Sequence, residues 1–405
     1  MTGVDVVIVG GGVIGCATAF HAARAGLRSV ILERRSALAT LTTPVSTGAF
    51  RLQFDNPEEI ALVRESVDLF DRFGEVTGLD GWDLGVRHGG YLFCSLTDDT
   101  LERSRRLVER QATWGLGDVE LLSGDEARRR WPWLAPEIRG ARFRAGDGWL
   151  DVKRLAIGLA TAAERPDRIP GAAGGGGAAR RTGEAVTGML TSPDGSQVIG
   201  VRTDSGELHA DAVVVAAGPF SAWVAALAGV RLDILPTVRQ KLVVPTLPAV
   251  PRDGPMTIDE ETAAHWRPAM DGCLALHTDA ATAPGDPKDP VPIDHAWAFG
   301  LLDPRSPHAL ARLAPFWELA WNDGAPEFHW FLQAGQYEMT PDRRPYLGPA
   351  GPDGLFVNAG YSGHGIMAGP AASRLVVDAI VGRPDPALEP FRADRTPVPR
   401  AHDIL

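Results

Sequence analysis

Three glycines and one glutamate near the start of the chain have the types and spacing needed to bind the pyrophosphate and ribose of a dinucleotide. Gly10, Gly12 and Gly15 follow an apolar run at residues 5–9 and precede a stretch of small residues. In that context Gly10 allows a tight turn, Gly12 lets main-chain N–H groups approach a pyrophosphate, and Gly15 brings helix and strand together. Glu33, at the expected end of the next strand, is placed to accept hydrogen bonds from a ribose diol. The pattern predicts a dinucleotide without a 2′-phosphate.

Two further segments near the end of expected strands have the small residues that let a main chain approach a ligand. The apolar run 212–218 ends in Ala217 and Gly218. Near the C-terminus, a strand at 354–359 runs into a glycine-dense turn, and a helix is predicted at 370–381. The amides of that turn and the positive end of the helix suit an anionic or electron-rich group.

Hydrophobic periodicity, capping residues and turn residues predict the elements that position these segments. Helices are expected at residues 13–25, 57–73, 98–114, 123–130 and 152–163, and strands at 29–32, 90–95, 142–150, 196–202, 207–210 and 212–218. Residues 34–54 are expected to form an extended loop, and 235–330 a β-rich second domain with a helix at 306–322. Gly174, Gly176 and Ala179 also match the dinucleotide pattern, but without a preceding apolar strand, so we interpret 166–181 as a flexible segment or an irregular strand.

Composition narrows the class of protein. The chain has 405 residues, a net charge of -11 and no block of like charge, which argues against nucleic acid or an anionic membrane as partner. Cys16, Cys94 and Cys273 are scattered and odd in number, which fits a reducing compartment and predicts neither a disulfide framework nor a zinc site. No targeting segment is recognised at the N-terminus, so we expect a cytoplasmic protein of two to three domains that binds small molecules.

Together these motifs resemble the D-amino-acid oxidase superfamily of flavoproteins, in particular the sarcosine oxidase, glycine oxidase and dimethylglycine dehydrogenase branches. Further matching positions are Ser46, Thr47, Gly48, Arg51, Arg239, Gln240, Tyr337, Thr340, Pro341, Asp342, Pro345 and the run 354–369. The resemblance implies an α/β fold: a Rossmann-like FAD-binding domain of the glutathione-reductase type with an inserted mixed α+β substrate domain. The FAD-binding domain is expected at residues 1–86, 146–236 and 338–405, and the substrate domain at 87–145 and 237–337.

The resemblance also implies how FAD is held. Gly10, Gly12, Val13, Ile14 and Gly15 would contact the pyrophosphate, Glu33 and Arg34 the ribose, and Val186 the adenine, while Ser46, Thr47, Gly48, Arg51, Ala217, Gly218, Gly360, Gly363, His364, Gly365, Ile366 and Met367 would surround the rest of the cofactor. Relatives with covalent flavin have a cysteine two residues before the tyrosine, where this chain has Gly335. Non-covalent FAD is therefore expected, and no metal.

The positions that contact substrate depart from the relatives. Cations that bind the substrate carboxylate in the relatives align with Tyr337, Phe54 and Met367, so a carboxylate would need another partner, such as Arg267 or His265, or the substrate is a larger, apolar or neutral amine.

The expected catalytic group is His265, Tyr337, His364, Met367 and Phe54. Each histidine equally suits a structural, hydrogen-bonded role. The lysine that activates oxygen in sarcosine oxidase would fall at 274–276 and is missing, and Lys241 is interpreted as a solvent-facing lysine of a strand. Most of Trp266, Trp297, Trp317, Trp321 and Trp330 are expected in a core, with one or two above the pocket.

Three functions remain open at this point. The first is oxidation of the C–N bond of a secondary or N-substituted amine or amino acid by hydride transfer to flavin N5, giving an imine that hydrolyses, with O₂ or another electron acceptor. The second is a hydroxy-acid or alcohol dehydrogenase, for which His265 or His364 would supply a base. The third is an FAD-binding assembly protein without turnover.

Overall fold

A computed structural model of the chain describes residues 3–278, 282–324 and 329–398. Its strands are β1 (Val4–Val9), β2 (Arg28–Glu33), β3 (Ala49–Phe50), β4 (Tyr91–Ser95), β5 (Glu120–Ser123), β6 (Gly140–Arg144), β7 (Gly148–Trp149), β8 (Gly177–Thr182), β9 (Val186–Thr191), β10 (Val198–Thr203), β11 (Gly206–Val215), β12 (Leu235–Val244), β13 (Met256–Asp259), β14 (His265–Ala269), β15 (Gly272–Leu276), β16 (Phe331–Met339), β17 (Tyr346–Pro349) and β18 (Leu355–Ala359). Its helices are α1 (Val13–Arg24), α2 (Pro57–Asp71), α3 (Phe73–Thr77), α4 (Asp98–Thr113), α5 (Gly124–Arg130), α6 (Val152–Ala163), α7 (Ser221–Ala226), α8 (Ala296–Leu302), α9 (Phe316–Gly324) and α10 (Gly365–Ile380).

The first large sheet has the order β17-β18-β11-β1-β2-β8, with β10 and β9 continuing from β11. Strand β1 is parallel to both β11 and β2, as a βαβ unit requires. Its side chains alternate between two cores: Val6 and Ile8 pack with α1, α6 and α10, while Val7 and Val9 pack on the opposite face. Burial on both faces explains why the strand is apolar throughout.

The second large sheet has the order β16-β12-β15-β14-β13-β4-β6-β5 and is antiparallel except for the β13–β4 pair. One face packs on a core with α8 and α9, to which Leu242, Trp266 and Cys273 contribute. The opposite face presents alternate residues of the same strands, such as Met256 and Ile258, toward the first sheet. The period of two along each strand therefore separates core residues from site residues.

Most expected elements are confirmed, with several differences. The helix expected at 306–322 is a 3-10 turn at Leu310–Arg312 followed by α9, the strand expected at 142–150 is divided into β6 and β7, and the loop expected at 34–54 contains β3. Residues 207–210 and 212–215 form one strand, because the first part of β11 pairs with β10 and the second part with β1. Part of the segment 166–181 is an ordered edge strand, β8, parallel to β2. Helix α10 begins at Gly365 rather than at 370 and continues through Pro370, after which Ser66 Oγ accepts the N–H of Ala371 at 3.1 Å.

The domain boundaries stay a prediction. The strands of the first sheet lie within residues 4–33, 177–215 and 346–359, and those of the second within 91–144, 235–276 and 331–339. Residues 1–2, 279–281, 325–328 and 399–405 of the expected domains lie outside the described residues. None of the helices in the described ranges has the length and apolarity needed to cross a bilayer. The cytoplasmic location is likewise a prediction.

The close crossing of α1 over β1 predicts that two neighbouring glycines differ in their effect on stability. A Cβ on Gly15 would lie 1.9 Å from the Gly10 carbonyl oxygen, whereas a Cβ on Gly12 would lie 3.4 Å from Thr43 Oγ1 and meet nothing nearer. Gly15→Ala should therefore lower the free energy of unfolding by about 3 kcal/mol, while Gly12→Ala changes it by less than about 1 kcal/mol. Urea titration followed by tryptophan fluorescence measures both. Equal stabilities of the two variants would contradict the close approach.

Candidate cofactor and substrate cavity

One continuous cavity of about 710 Å³ lies between the two sheets. At one end it is lined by Glu33, Arg34 and Val186 of the first sheet region, and at the other by residues of the second sheet. Between them it passes the N-terminus of α1 and the N-terminus of α10. An elongated anionic molecule with a pyrophosphate at its centre fits this shape, because both helix ends favour negative charge.

Glu33 joins the glycine turn to the ribose end of the cavity. Its Oε2 accepts the N–H of Gly11 at 2.8 Å, and its Oε1 accepts the N–H of Arg35 at 2.8 Å. Each carboxylate oxygen keeps a second lone pair, so acceptance from a diol remains available. Arg34 and Arg35 both pair with Asp289, and the Arg34 guanidinium lies 4.0 Å from the Phe220 ring centroid. The residues at this end thus come from the end of β2 and the residues that follow it, from the segment after β11 and from the segment after β15.

Arg51 is the central charged group of the opposite end. Its side chain is 2% exposed, it stacks on Phe54 at 4.4 Å, and burial lowers its pKa to about 10. Its Nη2 donates to His364 Nε2 at 3.4 Å, because a guanidinium has no acceptor. The proton of neutral His364 therefore lies on Nδ1, which is 3.8 Å from Glu59 Oε1. Because the acceptor nitrogen of His364 faces the Arg51 guanidinium, a positioning role is favoured over that of a base.

His265 has a different environment. Its Nδ1 lies 2.8 Å from the main-chain oxygen of Ala263, which only accepts, so Nδ1 holds the proton and Nε2 is an acceptor. Burial, with Arg51 nearby, lowers the pKa of His265 to about 4. The ring is therefore neutral at pH 7 and lines the cavity beside Leu276, its cross-strand neighbour.

We call the part of the cavity lined by Tyr91, Met256, Ile258, His265, Leu276 and Tyr337 the substrate end. Burial raises the pKa of both tyrosine hydroxyls, and the charge of Arg51 opposes that shift at each of them. Both phenols stay protonated at neutral pH. The substrate end combines an apolar surface, two neutral hydroxyls and a neutral imidazole. Two guanidinium groups of the cavity wall lie beside it: that of Arg51, and that of Arg239, whose Cζ is 5.5 Å from the Tyr337 ring centroid.

Glu338 is a buried acid in the cavity wall. Its Oε1 accepts the N–H of Tyr361 at 3.4 Å, while Oε2 is buried without a hydrogen-bond partner. Burial raises the pKa of the carboxyl to about 7, against the opposing effect of the Gly360 and Tyr361 amides. An orphaned buried oxygen of this kind indicates a site whose polar partner is a ligand.

The structure places most of the expected site residues around this cavity. Those in its wall are Gly10, Gly12, Val13, Ile14, Glu33, Arg34, Ser46, Thr47, Arg51, Val186, Ala217, Gly218, His265, Tyr337, Gly363, His364, Gly365, Ile366 and Met367. Three of the expected glycines lie behind the wall. A Cβ would meet Gly10 O at Gly15, Leu150 O at Gly48 and Thr340 Cγ2 at Gly360. They permit close packing rather than line the cavity.

Four expectations about side chains are wrong. Phe54 does not bound the cavity, because its ring packs edge-on against His364 and beneath Arg51. Lys241 does not face solvent: it is 5% exposed and donates to the carbonyls of the loop 44–46. Arg267 is outside the cavity wall and donates to Thr47 O. None of the five tryptophans named above lines the described cavity, since they pack in or against the core of the second sheet.

Several wall residues were missed by the sequence motifs. They are Gly11, Thr43, Tyr91, Glu184, Met256, Ile258, Leu276, Thr278 and Glu338. Strand alternation carries a signal for part of this set: once His265 is placed in the cavity, its paired neighbours Ile258 and Leu276 follow from the sheet register.

Comparison with known proteins agrees with this geometry. The family model described as FAD dependent oxidoreductase matches residues 5–379. Glycine oxidase of Pseudomonas aeruginosa is 28% identical, with 95% of this chain and 96% of that protein covered. A crystal structure of glycine oxidase from Geobacillus kaustophilus has a TM-score of 0.79 at 26% identity, covering 98% of this chain and 100% of that one.

Two further relatives are longer proteins. Human sarcosine dehydrogenase is 26% identical over 94% of this chain, but the match covers 40% of its own length. Dimethylglycine dehydrogenase of the rat is 26% identical over 67% of this chain and is covered over 30% of its length. The chain thus spans less than half of each of these two proteins.

The raised pKa of Glu338 generates a second prediction. The folded chain holds the Glu338 proton up to about pH 7, whereas the unfolded carboxyl loses it near its ordinary value of 4.5. Stability is therefore lost as the pH rises from 4.5 through 7, by about 3 kcal/mol in total. Glu338→Gln, which cannot ionise, should remove this loss and be the more stable protein at pH 8.

Urea unfolding of the flavin-free protein at pH 5 and pH 8 checks this difference. Glu137→Gln, on an exposed acid, is the matched control and should keep the pH dependence of the parent protein. An unchanged pH dependence in Glu338→Gln would show that Glu338 ionises normally.

Proposed function

Because this chain belongs to the family of FAD dependent oxidoreductases, we propose that it oxidises the C–N bond of a secondary or N-substituted amine. The family confirms the expected resemblance, the mixed α/β fold class and FAD as cofactor. The amine class is supported by the relatives named sarcosine dehydrogenase, dimethylglycine dehydrogenase and glycine oxidase. The choice of a neutral amine comes from the charges at the substrate end.

The observation that carries this proposal is the electrostatic character of the substrate end. The buried Arg51 charge acts on Tyr91, His265 and Tyr337, so it is felt throughout that region. Among the described wall residues the acids are Glu33, Glu184 and Glu338. Glu33 and Glu184 are adjacent on the ribose side, where Glu184 N–H donates to Glu33 O. Glu338, the third acid, keeps its proton below its raised pKa of about 7, so it is not a fixed negative charge there. With Arg51 and Arg239 in the wall, an ammonium group at the substrate end is disfavoured, and we infer that the neutral amine is the form that binds.

A neutral amine is also the reactive form, because its lone pair assists departure of a hydride from the neighbouring carbon. His265 Nε2 accepts the amine N–H and so orients the nitrogen, while the phenols of Tyr91 and Tyr337 exclude water from the reacting carbon. The alcohol alternative needs a base for a hydroxyl proton, and a histidine with a pKa of about 4 is poorly matched to that task.

We propose that FAD lies extended along the cavity and is dissociable. Its pyrophosphate would lie at the N-terminus of α1, where Gly12 provides a cap without a side chain. The amides at 363–365 would surround the electron-rich edge of the ring. Gly335, packed against Val45, offers no side chain for covalent attachment. When bound, the flavin would supply the acceptor of the hydride equivalent at N5. Loss of a hydride from a neutral amine leaves an iminium ion, which water hydrolyses to an amine and a carbonyl compound with release of a proton.

Anaerobic reduction of the FAD-loaded protein tests the substrate class. Mixing with secondary amines should remove the flavin absorbance, whereas 2-hydroxy acids should leave it unchanged. The second-order rate constant should rise with pH along a limb that follows the pKa of the free amine, because only the neutral amine binds. Admission of air then separates an oxidase from a dehydrogenase by the speed of re-oxidation.

Bleaching by hydroxy acids alone would replace the proposal with the alcohol alternative. Bleaching by no donor would favour the FAD-binding assembly protein. If the rise of the rate constant with pH has the same midpoint for amines of different pKa, the titrating group belongs to the protein, and the neutral-amine proposal is contradicted.

The role of His265 is tested by His265→Leu, which removes the acceptor and keeps an apolar side chain of similar reach. Flavin reduction by the best amine should slow by about 100-fold. His209→Leu, on the exposed part of β11, is the control and should leave the rate unchanged. Stopped-flow absorbance gives both rates. A reduction rate for His265→Leu within about twofold of the parent would remove His265 from the mechanism.

A further inference from the structure

Two buried cations lie on the cavity side of the second sheet without a carboxylate partner. Lys241 on β12 is 5% exposed and Arg267 on β14 is 8% exposed. In the described part of the chain, no ion pair involves either of them. The charge of Asp151 raises the pKa of Arg267 without forming an ion pair with it. Burying a charged group without an ion-pair partner costs free energy, so the presence of two such groups needs an explanation.

Both cations donate to main-chain oxygens of one loop, residues 44–47. Lys241 Nζ lies 2.9 Å from Pro44 O and 3.1 Å from Ser46 O. Arg267 donates to Thr47 O from Nε at 2.8 Å and from Nη2 at 2.5 Å. The loop's carbonyls thus point at the cations.

The same loop forms part of the cavity wall. Val45, Ser46 and Thr47 all line the cavity, and Val45 also packs against Gly335 on β16. The two charges are therefore separated from the cavity by a single layer of main chain. Neutral donors would also satisfy these carbonyls, with weaker hydrogen bonds and without the cost of burying a charge, so the positive charge itself requires a reason.

We propose that Lys241 and Arg267 are positioning residues that hold the loop 44–47 against the flavin and whose paired positive charge stabilises negative charge on the bound flavin. Reduction by two electrons, or addition of an anion to the ring, places negative charge there, and fixed positive charge in a dry site favours both changes. This inference rests on the bound FAD and holds for any substrate.

The charge of Lys241 is available at neutral pH. Burial, with Arg267 as the neighbouring cation, lowers the pKa of Lys241 to about 8. Burial lowers the pKa of Arg267 to about 10, while Tyr91, Cys273 and Asp151 oppose that shift. Both groups are thus predominantly protonated at pH 7.

Three substitutions separate charge from hydrogen bonding at Lys241. Lys241→Arg keeps both, Lys241→Gln keeps a neutral donor for the carbonyls, and Lys241→Met keeps only the length of the chain. Lys153→Met, on the exposed side of α6, is the control for loss of a lysine charge. The probe is sulfite, an anion that adds to the flavin of the FAD-loaded protein and removes its absorbance without turnover.

Sulfite should bind about tenfold more weakly to both Lys241→Gln and Lys241→Met than to the parent protein, and within about threefold of the parent to Lys241→Arg and Lys153→Met. The midpoint potential of the flavin should fall in the same two neutral variants. Retention of FAD by Lys241→Arg, but not by the neutral variants, would also support a requirement for charge.

Parental sulfite affinity in Lys241→Gln would overturn the proposal, since the hydrogen bonds alone would then account for Lys241. So would loss of FAD from Lys241→Arg together with the neutral variants. Neither result depends on the substrate, so failure here is distinguishable from failure of the amine proposal.

Discussion

The cavity depends on hydrogen bonds to the main-chain N–H and C=O groups of the segment that crosses between the two sheets. Six residues of the segment 43–53 line the cavity, namely Thr43, Val45, Ser46, Thr47, Ala49 and Arg51. The buried polar groups of the segment find partners inside the protein. Thr43 Oγ1 accepts the N–H of Val13 at the start of α1, Lys241 and Arg267 take the carbonyls of 44–47, and Asp147 accepts the N–H of Leu52 at 2.9 Å. The segment is held from both sheets at once, which fixes the cavity between them.

This arrangement explains why the site is rich in cations yet contains few paired acids. Arg51, Lys241 and Arg267 are buried within or behind the same wall. Lys241 and Arg267 donate to main-chain oxygens, and the Arg267 guanidinium also lies 5.2 Å from the Trp149 ring centroid. Their summed field disfavours an ammonium, favours a neutral amine and stabilises negative charge on a bound cofactor. Substrate choice and cofactor chemistry would then share one electrostatic cause.

The sequence motifs predicted those parts of the site whose residues are close together in the chain. Gly10, Gly12 and Glu33 were identifiable because the turn, the helix N-terminus and the strand end are adjacent in sequence. Lys241 was misinterpreted because its partners lie about 195 residues away in the chain, where no periodicity points to them. Phe54 was misplaced because the direction of its ring depends on Arg51 and His364, and Glu338 was missed because the register of β16 emerges only from its pairing with β12.

The most direct test of this account is a crystal structure of the protein with FAD and a secondary amine that cannot be oxidised. The account predicts the flavin ring between the loop 44–47 and the turn at 363–365, with the amine nitrogen contacting His265 Nε2 beneath Tyr91 and Tyr337. An amine held as an ammonium by Glu338, or a flavin ring away from the loop that Lys241 and Arg267 hold, would contradict it.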